Sequence, residues 1–180
     1  MSDPIIINQS THYEAHLYGA LEEFRDVRDT VSLLNEMGEQ DAVTLKINSP
    51  GGSVDVGVTL LEAMARCKGQ VVCHVIHPSY SMGAIIALAG DYLLMDPFCF
   101  LMFHNYSSGV FGKGAELMAG ARHGDAYIKN LFTGFCTPFL TKSEMTKLWQ
   151  DQDIYIYETD TDYQKRLKRH FKIEVQNEQK

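Results

Sequence analysis

Two hydrophobic periods alternate along the chain. Short apolar runs with strand character occupy residues 15–19, 42–47, 71–76, 92–95 and 100–104. Between them, apolar residues recur every three or four positions, the spacing of one helix face. Phe24, Val27, Val31 and Leu34 predict a helix over 22–37, and Val58, Leu61 and Ala65 share one face of a second over 54–67. Small and apolar residues predict a short helix over 81–89, and further helices follow over 116–132 and 144–150. Strands alternating with helices predict βαβ crossovers around a parallel core sheet, an α/β fold. The nearly unbroken apolar run at 71–76 is the kind of strand that such a sheet buries on both faces. Six basic or histidine residues crowd 165–172, read as a solvated helical face. Neither repeats nor low-complexity linkers interrupt the pattern, which predicts one domain over 1–180.

Composition narrows the function classes. A formal charge of −7 argues against nucleic acid as the main partner, because phosphate binding needs a cationic face. No apolar run reaches the roughly 18 residues that span a bilayer, so no membrane partner is expected. The N-terminal MSDPIIINQS lacks the pattern of a secretory signal, and a cytoplasmic location is expected. Cys67, Cys73, Cys99 and Cys136 are widely spaced and form no CxxC or CxxH cluster, so they read as reduced, buried residues. His74 and His77 have HxxH spacing, but they sit on a strand with no acidic third ligand nearby. No metal and no cofactor are expected.

Ser81 stands at the junction of the strand 71–76 and the helix 81–89. A serine in the first turn of a helix lies beside free backbone N–H groups and the positive end of the helix dipole, which suits a developing oxyanion. The same position also suits an ordinary helix cap. Gly83, Ala84, Ala87, Ala89 and Gly90 strip bulk from that helix, as close backbone packing requires. Upstream, the turn Ser49-Pro50-Gly51-Gly52-Ser53 follows a strand and leaves N–H groups unshielded, a source for a second oxyanion donor. The surroundings are not a GxSxG elbow, because Ser79 stands where the first glycine belongs. His104 ends the strand 100–104, and parallel sheets place functional groups at strand ends. Pairing with Ser81 makes it a candidate general base.

These motifs, INSPGGSV at 47–54, SMGA at 81–84 and the Pro-x(5)-Met-x-His string ending at His104, resemble the Clp protease proteolytic subunit family. The resemblance covers about residues 15–158, with a divergent tail over 159–180. It implies the Clp/crotonase-like ββα spiral with a parallel core sheet and a protruding handle helix. It also implies a serine endopeptidase acting on unfolded or small polypeptides inside a homo-oligomeric chamber, a heptamer or double heptamer, fed by an AAA+ unfoldase. Ser81 is then the nucleophile and His104 the base. The backbone N–H groups of Gly51 and Met82 are the oxyanion hole. The triad acid falls on Asp151, at the end of the helix 144–150, with Asp153 as the alternative.

The chain departs from the family pattern in several places. Pro78-Ser79-Tyr80 precede the nucleophile where the family has small residues, and Gln150 replaces an arginine that contacts the second ring. The segment from Ile154 onward lacks the family's small-residue turn, as in a divergent member such as a phage encodes. A capsid or scaffold maturation protease would share this catalytic layout. A catalytically silent ring subunit would not need Ser81 and His104, and a crotonase-type acyl-CoA enzyme would have no use for a Ser-His-Asp set.

Overall fold

Four parallel strands form the larger sheet of the computed structural model, which describes residues 10–109 and 112–172. They are β1 (His12–Tyr18), β2 (Ala42–Asn48), β3 (Gln70–Val75) and β5 (Tyr92–Met95), hydrogen-bonded in that spatial order. Residues alternate in and out along each strand. Leu17, Leu45, Val43, Val71, Cys73 and Val75 point into the core, whereas Glu14, His16, Lys46 and His74 face outward. The expectation that 71–76 is buried on both faces is therefore overturned, since Val72 and His74 are only half-buried. His74 instead hydrogen-bonds Asp96 at 2.8 Å, an acidic neighbour that the spacing along the chain did not reveal.

The inner face is covered by α1 (Arg28–Glu36) and α2 (Val54–Arg66), which bury Leu34, Val56, Leu60, Leu61 and Ala63. The expected helix over 22–37 is shorter and preceded by a 3-10 turn at Phe24–Asp26. There the Asp26 carboxylate accepts the N–H groups of Glu22 and Glu23, holding those residues outside the helix.

A second, smaller sheet contains β4 (Ser79–Tyr80), β6 (Phe100–Phe103) and β7 (Ile154–Tyr157), with β4 parallel and β7 antiparallel to β6. Between the sheets lies α3 (Met82–Ala87), every residue of which is buried. It touches β2, β3, β4, β6, α2 and α4, so one short helix joins both sheets and the helical layer. Its small residues permit this. A side chain on Gly83 would meet the Ser49 carbonyl oxygen at 2.7 Å.

Helix α4 (Gly114–Cys136) is 23 residues long, and its buried residues, Ile128, Phe132 and Cys136, all lie in its second half. The first half projects, in keeping with a protruding helix. Helix α5 (Lys142–Leu148) opens with Thr141 and Glu144 capping each other reciprocally. Helix α6 (Tyr163–Phe171) carries the basic cluster. Its reading as a solvated face is corrected at Arg166, which is buried and ion-paired to Glu144 and Asp162 at 2.7 and 2.8 Å. Among the described residues no helix is long and apolar enough to cross a membrane.

Candidate active site

The Ser49–Gly52 turn is tied down on both sides. The Ser49 hydroxyl donates to the Gly19 carbonyl at 2.7 Å and accepts the Gly51 N–H at 3.1 Å. Gly51 adopts φ +88°, and a Cβ there would lie 2.8 Å from the Met82 nitrogen and from Ser81 Cβ. Only glycine lets the turn pass this close to the nucleophile segment. One residue on, Gly52 bridges Leu21. Leu21 donates to the Gly51 carbonyl at 2.9 Å and Ser53 donates to the Leu21 carbonyl at 2.7 Å. The Gly52 N–H has no partner among the described residues.

Ser81 is held in a sparsely populated conformation, φ 53° and ψ −124°. Its N–H donates to the Met102 carbonyl of β6 at 2.8 Å, and its carbonyl accepts from Ala84 and Ile85 at 3.0 and 3.1 Å. The backbone must therefore turn sharply from a sheet bond into the first bonds of α3. Such a conformation costs of the order of 1–3 kcal/mol and persists only where the surroundings impose it. The sequence lacks GxSxG, yet the strained strand–turn–helix geometry is the one that motif builds. The Met82 N–H, the first of α3, has no partner among the described residues.

His104 follows β6 and shares with Gly52, Ser81, Met82, Tyr106 and Phe132 a pocket of about 270 Å³. Its ring Nδ1 lies 2.6 Å from the Asn105 carbonyl oxygen. A carbonyl only accepts, so Nδ1 carries the proton and Nε2 keeps the lone pair a general base needs. Among the described residues no hydrogen bond joins the Ser81 hydroxyl to this ring.

Among the described residues no hydrogen bond or ion pair joins Asp151 to His104. At φ +58° just beyond α5, its carboxylate accepts the Asn105 side-chain amide at 2.7 Å. The Asn105 side-chain oxygen in turn accepts the Tyr106 N–H at 3.0 Å. Asp151 thus braces the loop after the base. Asp153 immediately precedes β7. The β6–β7 ladder runs from the Phe100–Tyr157 pair to the Phe103–Ile154 pair, and His104 and Asp153 are the residues next to its end on the two chains.

Spacing along the chain did not reveal Asn105, Tyr106 or Phe132. Tyr106 donates its hydroxyl to Asp125 at 3.1 Å, and burial followed by this bond to a carboxylate raises its pKa. Its aromatic ring beside a histidine was the available signal. Among the described residues no cluster of His, Cys, Asp and Glu could hold a metal ion. The four cysteines are free thiols. Burial pushes both Cys73 and Cys136 up to about 12, which leaves them unreactive.

The Clp protease family model matches residues 21–161, more than three quarters of the chain. The chain belongs to the Clp protease family. Its mixed α/β architecture, with a parallel core sheet and a long helix, is consistent with that of the family. Among curated relatives it is similar to the ATP-dependent Clp protease proteolytic subunit 3, chloroplastic, of Arabidopsis thaliana. The two are 33% identical over 89 residues, which cover 47% of this chain and 28% of the relative. The match spans less than a third of that protein's own length.

Proposed function

We propose that this Clp family member is a serine endopeptidase that cuts unfolded or small polypeptides. The observation that carries this reading is Ser81, held at φ 53° in one pocket with His104, beside two backbone N–H groups that have no partner among the described residues. In the proposed reaction, Ser81 Oγ attacks the scissile carbonyl carbon while its proton passes to His104 Nε2. The imidazolium then protonates the departing amine, leaving an acyl-enzyme, and a water activated by the same ring hydrolyses the ester.

The oxyanion receives the N–H groups of Met82 and Gly52. Gly52 replaces Gly51 in this role because the Gly51 N–H is already given to Ser49. The triad acid is assigned to Asp153, which adjoins the end of the β6–β7 ladder as His104 does, and Asp151 becomes the brace of Asn105. Here the Asn105 carbonyl selects the correct imidazole tautomer. A neutral carbonyl stabilises the imidazolium less than a carboxylate does, so full activity requires the ring to turn from Asn105 to Asp153.

Clp family proteins generally form oligomeric rings. The projecting first half of α4 supports an assembly of this kind, with seven-fold rings and delivery of chains by an AAA+ unfoldase as part of the proposal. A silent ring subunit is the second reading, favoured by the hydrogen bond that turns His104 toward Asn105. A fluorophosphonate probe with intact-mass readout separates the two. A single adduct on the wild type, absent from Ser81→Ala, supports the peptidase. No adduct on the assembled protein supports the silent subunit.

A further inference from the structure

Beside the Ser81–His104 pocket lies a second hollow of about 210 Å³, walled in part by Asp55, Tyr127 and Ser108. Val54, Tyr106 and Ser107 line both, so the two are adjacent. Among the described residues no lysine, arginine or histidine lines the second hollow. Asp55 lies in the first turn of α2, exposed, and its carboxylate makes no ion pair or hydrogen bond among the described residues. Further along the same groove, Asp125 is already engaged by Lys129 at 2.9 Å and by the Tyr106 hydroxyl at 3.1 Å. Asp55 is thus a carboxylate without a compensating partner among the described residues, in the hollow beside the reacting groups.

We infer that this hollow is a specificity pocket for a basic side chain adjacent to the scissile bond, with Asp55 as the residue that selects it. The inference rests on the peptidase reading. A lysine or arginine side chain has an apolar stem and a cationic head. The Tyr106 and Tyr127 rings offer that stem contact and the head a π face, the exposed hydroxyls of Ser107 and Ser108 accept its N–H groups, and Asp55 supplies the opposite charge. An uncharged side chain gains only the stem contacts. An acidic one meets a like charge.

Favourable interaction of a carboxylate with the helix dipole would by itself place an aspartate at this position. Substrate charge separates the two roles. Matched peptidyl diphenyl phosphonates carrying a lysine-like or a norleucine-like side chain next to the phosphorus would be reacted with the assembled protein, and adduct formation followed by intact mass. The lysine analogue is expected to phosphonylate Ser81, Oγ displacing a phenoxide from phosphorus, about fivefold faster, the preference of a partly exposed ion pair, and this preference shrinks as salt is raised. Asp55→Asn abolishes the difference, Asp55→Glu retains it, and Asp55→Lys reverses it toward a glutamate analogue. Equal rates on the wild type, a preference that survives in Asp55→Asn, or fluorophosphonate labelling without labelling by either peptidyl probe would overturn the specificity pocket and leave the peptidase standing. Absence of labelling by the fluorophosphonate too would overturn the peptidase, and the pocket with it.

Discussion

Replacing Glu144 by glutamine tests how the tail is held to the body. Glu144 sits in the first turn of α5, where its carboxylate receives the Thr141 N–H at 2.7 Å, the Thr141 hydroxyl at 2.8 Å and a two-pronged contact from Arg166 at 2.9 and 2.7 Å. Burial by itself would raise the carboxyl, but the Arg166 guanidinium and the Thr141 donors outweigh it and hold the group at about 2, against an ordinary 4.5. Fully shielded from water, that depression would correspond to about 3 kcal/mol. The side chain keeps 19% of its surface exposed, so screening reduces the expected contribution to about 2 kcal/mol. For a chain of this length the loss lowers Tm by about 4–8 °C at pH 7. Glutamine preserves the shape and the cap while leaving Arg166 with Asp162, which is half exposed.

The pH dependence carries the sharper test. A carboxyl held below its ordinary value contributes fully above about pH 4.5, and the contribution disappears as pH falls toward about 2. The Tm gap between wild type and Glu144→Gln, measured by circular dichroism at fixed protein concentration, should therefore be widest at neutral pH and close between pH 4.5 and 2. A gap of the same size at pH 7 and pH 3 would show that packing, not charge, is what glutamine disturbs. No gap at pH 7 would refute the electrostatic reasoning outright.

Other residues make separate claims. Asp153→Asn should slow phosphonylation of Ser81 by fluorophosphonate roughly ten-thousandfold, as loss of a triad carboxylate does, whereas Asp151→Asn should cost less than about tenfold because it only braces Asn105. Gly51→Ala forces a side chain into φ +88° and against the Met82 nitrogen and Ser81 Cβ. It should cost about 3 kcal/mol in urea unfolding and abolish labelling even where the fold survives. Iodoacetamide at pH 8 should leave Cys73 and Cys136 unmodified until denaturant is added, since burial holds both thiols protonated. Phe98, 94% exposed at φ 69°, should tolerate Asn with a gain of about 0.5–1 kcal/mol, read as a higher Tm.

The local pattern carried most of the elements. Alternating apolar residues at 42–47 and three-to-four spacing at 54–67 reflect side chains that must face one core, and β2 and α2 follow within a residue or two. The glycine turn at 49–53 and the serine at the head of α3 were legible because steric freedom and helix-end donors belong to those residues themselves. β7 was not, because the run Ile154–Tyr157 acquires strand geometry only by pairing with β6, some fifty residues away. The folded chain also separates Asp151 from Asp153. Two acids two positions apart look alike in spacing, but Asp151 bonds the Asn105 amide while Asp153 stands at the start of β7.

What the sequence by itself determined is the inventory: an α/β chain, a constrained serine at a strand-to-helix junction and a histidine at a strand end. The tertiary structure alone decided which groups meet. It spends the Gly51 N–H on Ser49 and leaves that of Gly52 without a partner among the described residues, turns His104 toward Asn105, places Asp55 in the hollow beside the Ser81 pocket and buries Arg166 against Glu144. Conformational preference and burial period are local properties of a residue and its neighbours. Hydrogen-bond partners and charge compensation depend on distances that exist only once β6, β7, α2 and α4 have packed.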